Sequence, residues 1–360
     1  MTDIFDYLSW RGDILFSQLP PNPVDALIFS ALSYIRFSGI VPDTPREWKT
    51  LKTATAELLA AGETADKIRT EKDLELLKAA VATERFANVC LSFYQDVFIP
   101  EEDTQFAAMT FWLEDGTAFL AFRGTDNTLV GWKEDFNMTF QESIPAQRLA
   151  QKYTQRFSEN STAALRLGGH SKGGNLAVYA AAKSCEKIQA RIIEVYNQDG
   201  PGFTEKMLGD SGYLKIVPKI RTYVPQSSVF GMLLQRGEPH IIIRSKQVGL
   251  LQHDPYSWEV LGNRFILAEG FTADSRFLGR TFKNWLAGMT ISERNEFFDA
   301  VFELLMIEDT NHLRDIMRPQ NLLTYFRSLK SDEVMRKLIA SELANLIQSA
   351  KNVQNEKDHA

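Results

Sequence analysis

Gly169-His170-Ser171-Lys172-Gly173 sets a serine between two glycines at the spacing G-x-S-x-G. A serine hydroxyl is a weak nucleophile at neutral pH until a base takes its proton. The spacing suits a strained strand-to-helix turn that lifts the hydroxyl to where a base can reach it. The flanking glycines leave room for the tight turn. Ahead of the serine, Leu165 and Leu167 alternate as in a strand. After it come Gly174, Ala177, Ala180, Ala181 and Ala182, small residues suited to a helix packed closely on a sheet. Ser171 is the expected nucleophile, against the plain alternative of a glycine-rich turn.

The base that activates such a serine needs a partner to hold its tautomer, and at an elbow of this kind the chain order is serine, acid, histidine. The chain has five histidines. His170 lies inside the elbow, where its side chain is expected to point away from the nucleophile and pack. His240 heads an isoleucine-rich strand, His312 falls in a C-terminal helical stretch, and His359 is in the tail. His253 stands in Leu250-Leu-Gln-His-Asp-Pro-Tyr-Ser-Trp258, a polar loop after the last expected strand, and is the expected base. For the acid, Asp199 in Val195-Tyr-Asn-Gln-Asp-Gly-Pro-Gly-Phe203 lies at the carboxyl end of the strand after the elbow helix, where sites assemble in open α/β sheets. Asp-Gly-Pro-Gly is also turn chemistry in its own right. Asp254 and Asp210 are the rivals.

Negative charge developing on the attacked carbonyl needs backbone N–H donors. One is expected from Lys172, the residue after the nucleophile. The second is expected from Thr125, where an earlier strand ends in Arg123-Gly124. A helix-cap role for Thr125 is compatible with this. The Lys172 side chain reads as a solvated lysine, with attraction of an anionic head group as the sharper alternative.

These residues require strands and helices in alternation. Phe106 to Leu113 and Thr117 to Arg123 flank Glu114-Asp115-Gly116, an Asp-Gly hairpin signal. Residues 190–196, 219–224 and 239–244 read as later strands, and strands separated by helical stretches imply an α/β sheet. Three regions result: a helical N-terminal extension or cap over 1–102, an α/β core over 103–262 and a helical C-terminal region over 263–360. Val24 to Tyr34 is apolar nearly all round and predicts a buried helix. Thr70-Glu-Lys-Asp73 and Thr290-Ile-Ser-Glu293 are helix-start patterns. Ala340 to Ser349 is an amphipathic run, and the polar tail from Lys351 is expected to fray.

The bulk of the chain narrows the function classes. Its 360 residues, 44% hydrophobic and 24% charged, suit a globular protein, and a formal net charge of -6 gives no footprint for nucleic acid. Cys90 and Cys185 form no metal or redox spacing, are expected as buried free thiols, and fit a reducing cytoplasm. The acidic start Met1-Thr-Asp-Ile-Phe-Asp6 does not read as a signal peptide, and no apolar run reaches the roughly 18–20 residues of a membrane span. Peripheral contact with a membrane surface stays open.

Phe122-Arg-Gly-Thr125, then Trp132 and Asp135, then Gly169-His-Ser-Lys-Gly-Gly174 resemble the class 3 lipase pattern within the α/β-hydrolases. Asp25-Ala-Leu27, the elbow followed by Asn175, Gln198-Asp-Gly-Pro-Gly-Phe203, Gln252-His-Asp254 and Trp258 together resemble a narrower, uncharacterised bacterial lipase-like family. The wider resemblance covers about residues 105–262 and the narrower one most of the chain. It implies an α/β-hydrolase sheet with helical additions at both ends. The chain departs from the class 3 pattern at one place. That pattern sets its acid after the next strand, and the matching stretch here, Tyr223 to Gly231, has Ser228 about where the aspartate would fall.

The expected function is hydrolysis of carboxylic esters, of lipids or other acyl substrates, through Ser171, His253 and Asp199, without metal or cofactor. Thioesterase, acyltransferase or peptidase chemistry on the same machinery is one alternative. A degenerate scaffold that binds an acyl ligand or a partner protein is the other.

Overall fold

A computed structural model describes residues 2–62, 67–126, 128–306 and 319–358. Its centre is an eight-stranded sheet of β1 (Lys49–Thr50), β2 (Cys90–Ile99), β3 (Thr104–Trp112), β4 (Ala118–Phe122), β5 (Leu165–His170), β6 (Ile192–Gln198), β7 (Ile220–Pro225) and β8 (His240–Ile243). Spatial order follows chain order. Strands β1 to β4 pair antiparallel and β4 to β8 parallel. The β3–β4 hairpin closes where expected: Gly116 takes φ +80°, and the Asp115 carboxylate accepts the Thr117 N–H at 3.0 Å.

Each central strand is apolar on both faces because both faces are covered. Along β4, Ala118, Leu120 and Phe122 face one core, while Phe119 and Ala121 face the other. The first core is made with the crossover helices Pro145–Asn160 and Lys172–Ala182. The second is made with the N-terminal helices Ile4–Arg11, Pro23–Leu32, Leu51–Ala60 and Glu71–Val81. Pro23–Leu32 is buried from Val24 to Leu32, as its all-round apolar sequence predicts. A buried ion pair anchors this layer: Arg85 Nε and Nη2 donate to the two oxygens of Asp25 at 2.9 and 2.7 Å.

The expected boundary at residue 103 does not coincide with the start of the sheet. Strands β1 and β2 come from the first 102 residues, and the N-terminal helices share a core with Phe111, Phe119 and Tyr196 of the sheet. Phe93, in β2, turns inward at a bulge between Ser92 and Gln95, which a simple period-2 reading does not reveal. The strand expected at residues 190–196 begins at Ile192, because Glu186–Arg191 is helical.

The C-terminal helices Ala273–Ala287 and Ile291–Leu305 form a third, smaller core with Leu129 and Phe140. The Thr290 signal starts its helix as predicted, with the Glu293 carboxylate accepting the Thr290 N–H at 2.7 Å. The tail is not frayed from Lys351: the last helix runs Glu333–Asp358, and Val353 is buried. Cys185 is exposed and Cys90 only half-buried, so neither thiol is buried as expected, and both are free. His312 and His359 lie outside the described residues. No described helix is long and apolar enough to cross a membrane.

Candidate functional site

Strand β5 ends at His170, and the helix Lys172–Ala182 starts immediately, so Ser171 alone must turn the chain. It does so at φ +59°, ψ −133°. A non-glycine residue there costs on the order of 1–3 kcal/mol and persists only where its surroundings hold it. Those surroundings are tight. A Cβ on Gly173 would lie 2.1 Å from the Phe122 carbonyl oxygen, and one on Gly124 would lie 2.4 Å from the His170 carbonyl oxygen. Glycine at these positions lets the end of β4 close against the elbow, which brings Thr125 beside Ser171 in one cavity.

The fold brings together the three residues expected from their order. His253 Nε2 lies 2.9 Å from Ser171 Oγ, and its Nδ1 lies 2.6 Å from Asp199 Oδ2. A carboxylate can only accept, so Nδ1 carries the proton and Nε2 is the acceptor facing the serine. The Asp199 side chain is fully buried, and that of His253 is 22% exposed. Asp199 also sits at positive φ, +57°, at the end of β6. Its N–H donates to Tyr223 in β7 and the next N–H, of Gly200, to Asn197 Oδ1. The rivals are engaged elsewhere. Asp254 pairs with Lys72, and Asp210 caps the helix Ser211–Ile216 and pairs with Lys183.

Ser228, at the position where the class 3 pattern sets its acid, is aimed at the same carboxylate. Its hydroxyl donates to Asp199 Oδ1 at 2.5 Å while accepting the Gly231 N–H at 2.8 Å. Asp199 thus receives His253 on one oxygen and Ser228 on the other.

Lys172 corrects the sequence reading. Its side chain is neither solvated nor free to meet an anionic head group. It is buried, and all three of its ammonium protons are used: on Gln105 O at 2.9 Å, Gln105 Oε1 at 2.8 Å and Glu134 Oε2 at 2.8 Å. Glu134 in turn accepts the Ala146 N–H at 2.9 Å. The charge network locks the elbow to the helix Leu129–Asn137. The same helix carries Asp135, whose Oδ2 accepts the Thr125 hydroxyl. Burial pushes the Asp135 carboxyl up to about 6, against the opposing pull of Lys172 and Thr125.

His170 does pack, but not away from the site. It lines the same cavity as Ser171, and its Nε2–H donates to the His253 carbonyl at 2.8 Å. Burial first, and then the neighbouring His253 and Arg69, hold it well below the usual imidazole range, so it is neutral. His170 therefore holds the backbone of His253. Trp258 Nε1–H, donating to Gln252 O at 3.0 Å, holds the same loop from beneath. His240 is exposed at the head of β8, its ring beside Phe271.

The cavity above the serine measures about 590 Å³. Sequence reasoning missed several of its walls: Tyr34, Arg69, Lys72 and Phe230. The N-terminal helix Glu71–Val81 and the loop before it supply part of this lining, and no local signal in residues 67–73 points there. Among the described residues no cluster of histidine, cysteine or carboxylate side chains could hold a metal ion.

Residues 80–303 match the model of the Mbeg1-like family. A search of curated proteins returns no match. Among solved structures, the crystal structure of M37 lipase aligns at 15% identity and TM-score 0.39, over 59% of this chain and 70% of that one. The native Rhizomucor miehei lipase propeptide complex aligns at 15% identity and TM-score 0.37, over 68% and 81%. The family match takes in β2 to β8 with Ser171, Asp199 and His253, and it spans more than half of the sequence: this chain belongs to the Mbeg1-like family.

Proposed function

We propose that the protein is a serine hydrolase that cleaves carboxylic esters of lipid or other acyl type. The observation that carries this reading is the hydrogen-bonded chain Ser171–His253–Asp199, at 2.9 and 2.6 Å, on a serine held at positive φ. Ser171 Oγ attacks the ester carbonyl as His253 Nε2 takes its proton. Asp199 keeps the imidazole in the receptive tautomer and stabilises the imidazolium. The backbone N–H groups of Lys172 and Thr125 receive the oxyanion. Lys172 opens a helix, whose first N–H groups lack intrahelical partners. The tetrahedral adduct then expels the alcohol, which leaves with the proton from His253. Water, deprotonated by His253, attacks the acyl-serine and releases the acid and the free enzyme.

A fluorophosphonate probe tests the activated serine. The wild-type protein labels stoichiometrically and Ser171→Ala does not. Ser171→Ala also lowers ester kcat by about 10⁵–10⁶-fold. A wild-type protein that resists the probe, while its fold is intact, overturns the reading in favour of a binding scaffold. Turnover of thioesters or transfer to alcohols in preference to water moves it to the sister chemistries.

A further inference from the structure

A second cavity, of about 320 Å³, opens beside the first. Trp132, Asp135, Phe230 and Leu250 line both. Phe230 links them to the site: its ring centroid is 4.6 Å from that of His253 and 5.8 Å from that of Trp132. Beyond these shared residues the second cavity is walled by the C-terminal helix Ala273–Ala287, through Leu278, Phe282, Trp285 and Leu286. Of its thirteen described lining residues only Asp135 and Thr139 are polar, whereas the first cavity also carries Arg69, Glu71, Lys72, Asp126 and Asp254. The two chambers therefore differ sharply in the polarity of the group each can accommodate.

Asp135, which accepts the Thr125 hydroxyl, is shared by the two chambers, and Thr125 itself lines the polar one. The departing oxygen must lie against His253 Nε2, which returns its proton. The neighbour of His253 in the chain, Asp254, lines only the polar chamber, with its partner Lys72.

Resting on the hydrolase reading above, we infer that the apolar chamber is an acyl pocket and that the preferred substrates are esters of medium-chain alkyl carboxylic acids. Its volume stands at the lower end of the roughly 300–1,000 Å³ of small-molecule sites, room for one such chain and too little for several long ones. The C-terminal helices are then part of the substrate site.

Nitrophenyl esters of acetate, butyrate, octanoate, palmitate and benzoate, which share one alcohol, read the pocket. kcat/KM rises about two- to four-fold per buried methylene up to octanoate and falls at palmitate. Leu278 lines the chamber and is 36% exposed, so a larger side chain there narrows the chamber without being forced into a closed core. Leu278→Trp lowers the octanoate-to-acetate ratio of kcat/KM at least ten-fold. Leu286→Ala moves the optimum toward longer chains, which gives an independent reading should the tryptophan variant misfold. Fluorophosphonate labelling run alongside separates the two levels. An unlabelled wild-type serine sinks both the hydrolase reading and the pocket. A labelled serine with a flat chain-length profile, with ratios unmoved in both variants, or with benzoate preferred to octanoate, overturns the acyl pocket while the hydrolase stands.

Discussion

Asp199 and Ser228 share one task from two strands. The carboxylate comes from the end of β6, and the hydroxyl from just past β7 meets its far oxygen. A hydrogen bond to a charged group contributes about 1.5–3 kcal/mol, so Ser228→Ala is expected to lower kcat roughly 10–100-fold. Asp199→Asn, which offers the wrong tautomer to His253, is expected to cost about 10⁴-fold. Steady-state kinetics on both variants, with probe labelling of Ser171 as the control for an intact site, measures the ranking. Equal losses would contradict a supporting role for Ser228. Asp135 carries a pH signature. Burial pushes its folded-state value up to about 6, above the roughly 4 of an unfolded carboxylate. The folded protein keeps that proton longer, so this group's stabilisation is whole below pH 4 and is lost as pH rises through 6. Asp135→Asn removes the cost of ionisation. Its melting temperature relative to wild type is expected to be higher at pH 8 than at pH 5, and a gap independent of pH would refute the assignment.

The element that most constrains the site is the elbow helix. It is fixed at its first residue by a buried charge rather than by a cap. Lys172 and Glu134 are each fully buried, and the pair ties β3, the helix Leu129–Asn137 and the elbow together through Gln105. Breaking a buried pair on one side leaves an uncompensated charge, at about 3–5 kcal/mol. Lys172→Met is expected to lose stability of that size in denaturant titration, while Lys183→Met, at the solvated pair with Asp210, loses less than about 1 kcal/mol. The elements themselves were largely legible. The Asp-Gly hairpin, the alternation before Ser171 and the helix starts at Thr70 and Thr290 are local signals. They fold as read because the tertiary context agrees with them. The displaced start of β6 and the bulge at Phe93 were not legible, since residues 186–191 and 92–95 carry no local marker of where pairing begins.

At the scale of the whole molecule the sheet is a wall between two unequal layers, with a third cluster at the site's edge. The helices Ala273–Ala287 and Ile291–Leu305 rest on that smallest core, while β4 to β6 lie between the two large ones. Local opening follows buried contact, so amides of these C-terminal helices are expected to exchange with deuterium well before those of β4 to β6. Protection equal to that of the central strands would show a single cooperative unit instead.

By itself the sequence determined the chemistry on offer and its order along the chain: a serine framed by glycines, a carboxylate at a strand end, a histidine in a late loop. These are readable because turn geometry and helix starts depend on neighbours a few residues apart. Only the tertiary structure decided what those groups meet. The Lys172 side chain, read as solvated, became a buried lock. His170, read as packing away from the site, became the support of the His253 backbone. Ser228 became a donor to Asp199, and distant helices became walls of the cavities. Each of these outcomes joins residues tens to hundreds of positions apart, and the energy of burying a charge or a polar group depends on the far partner, which no local pattern contains.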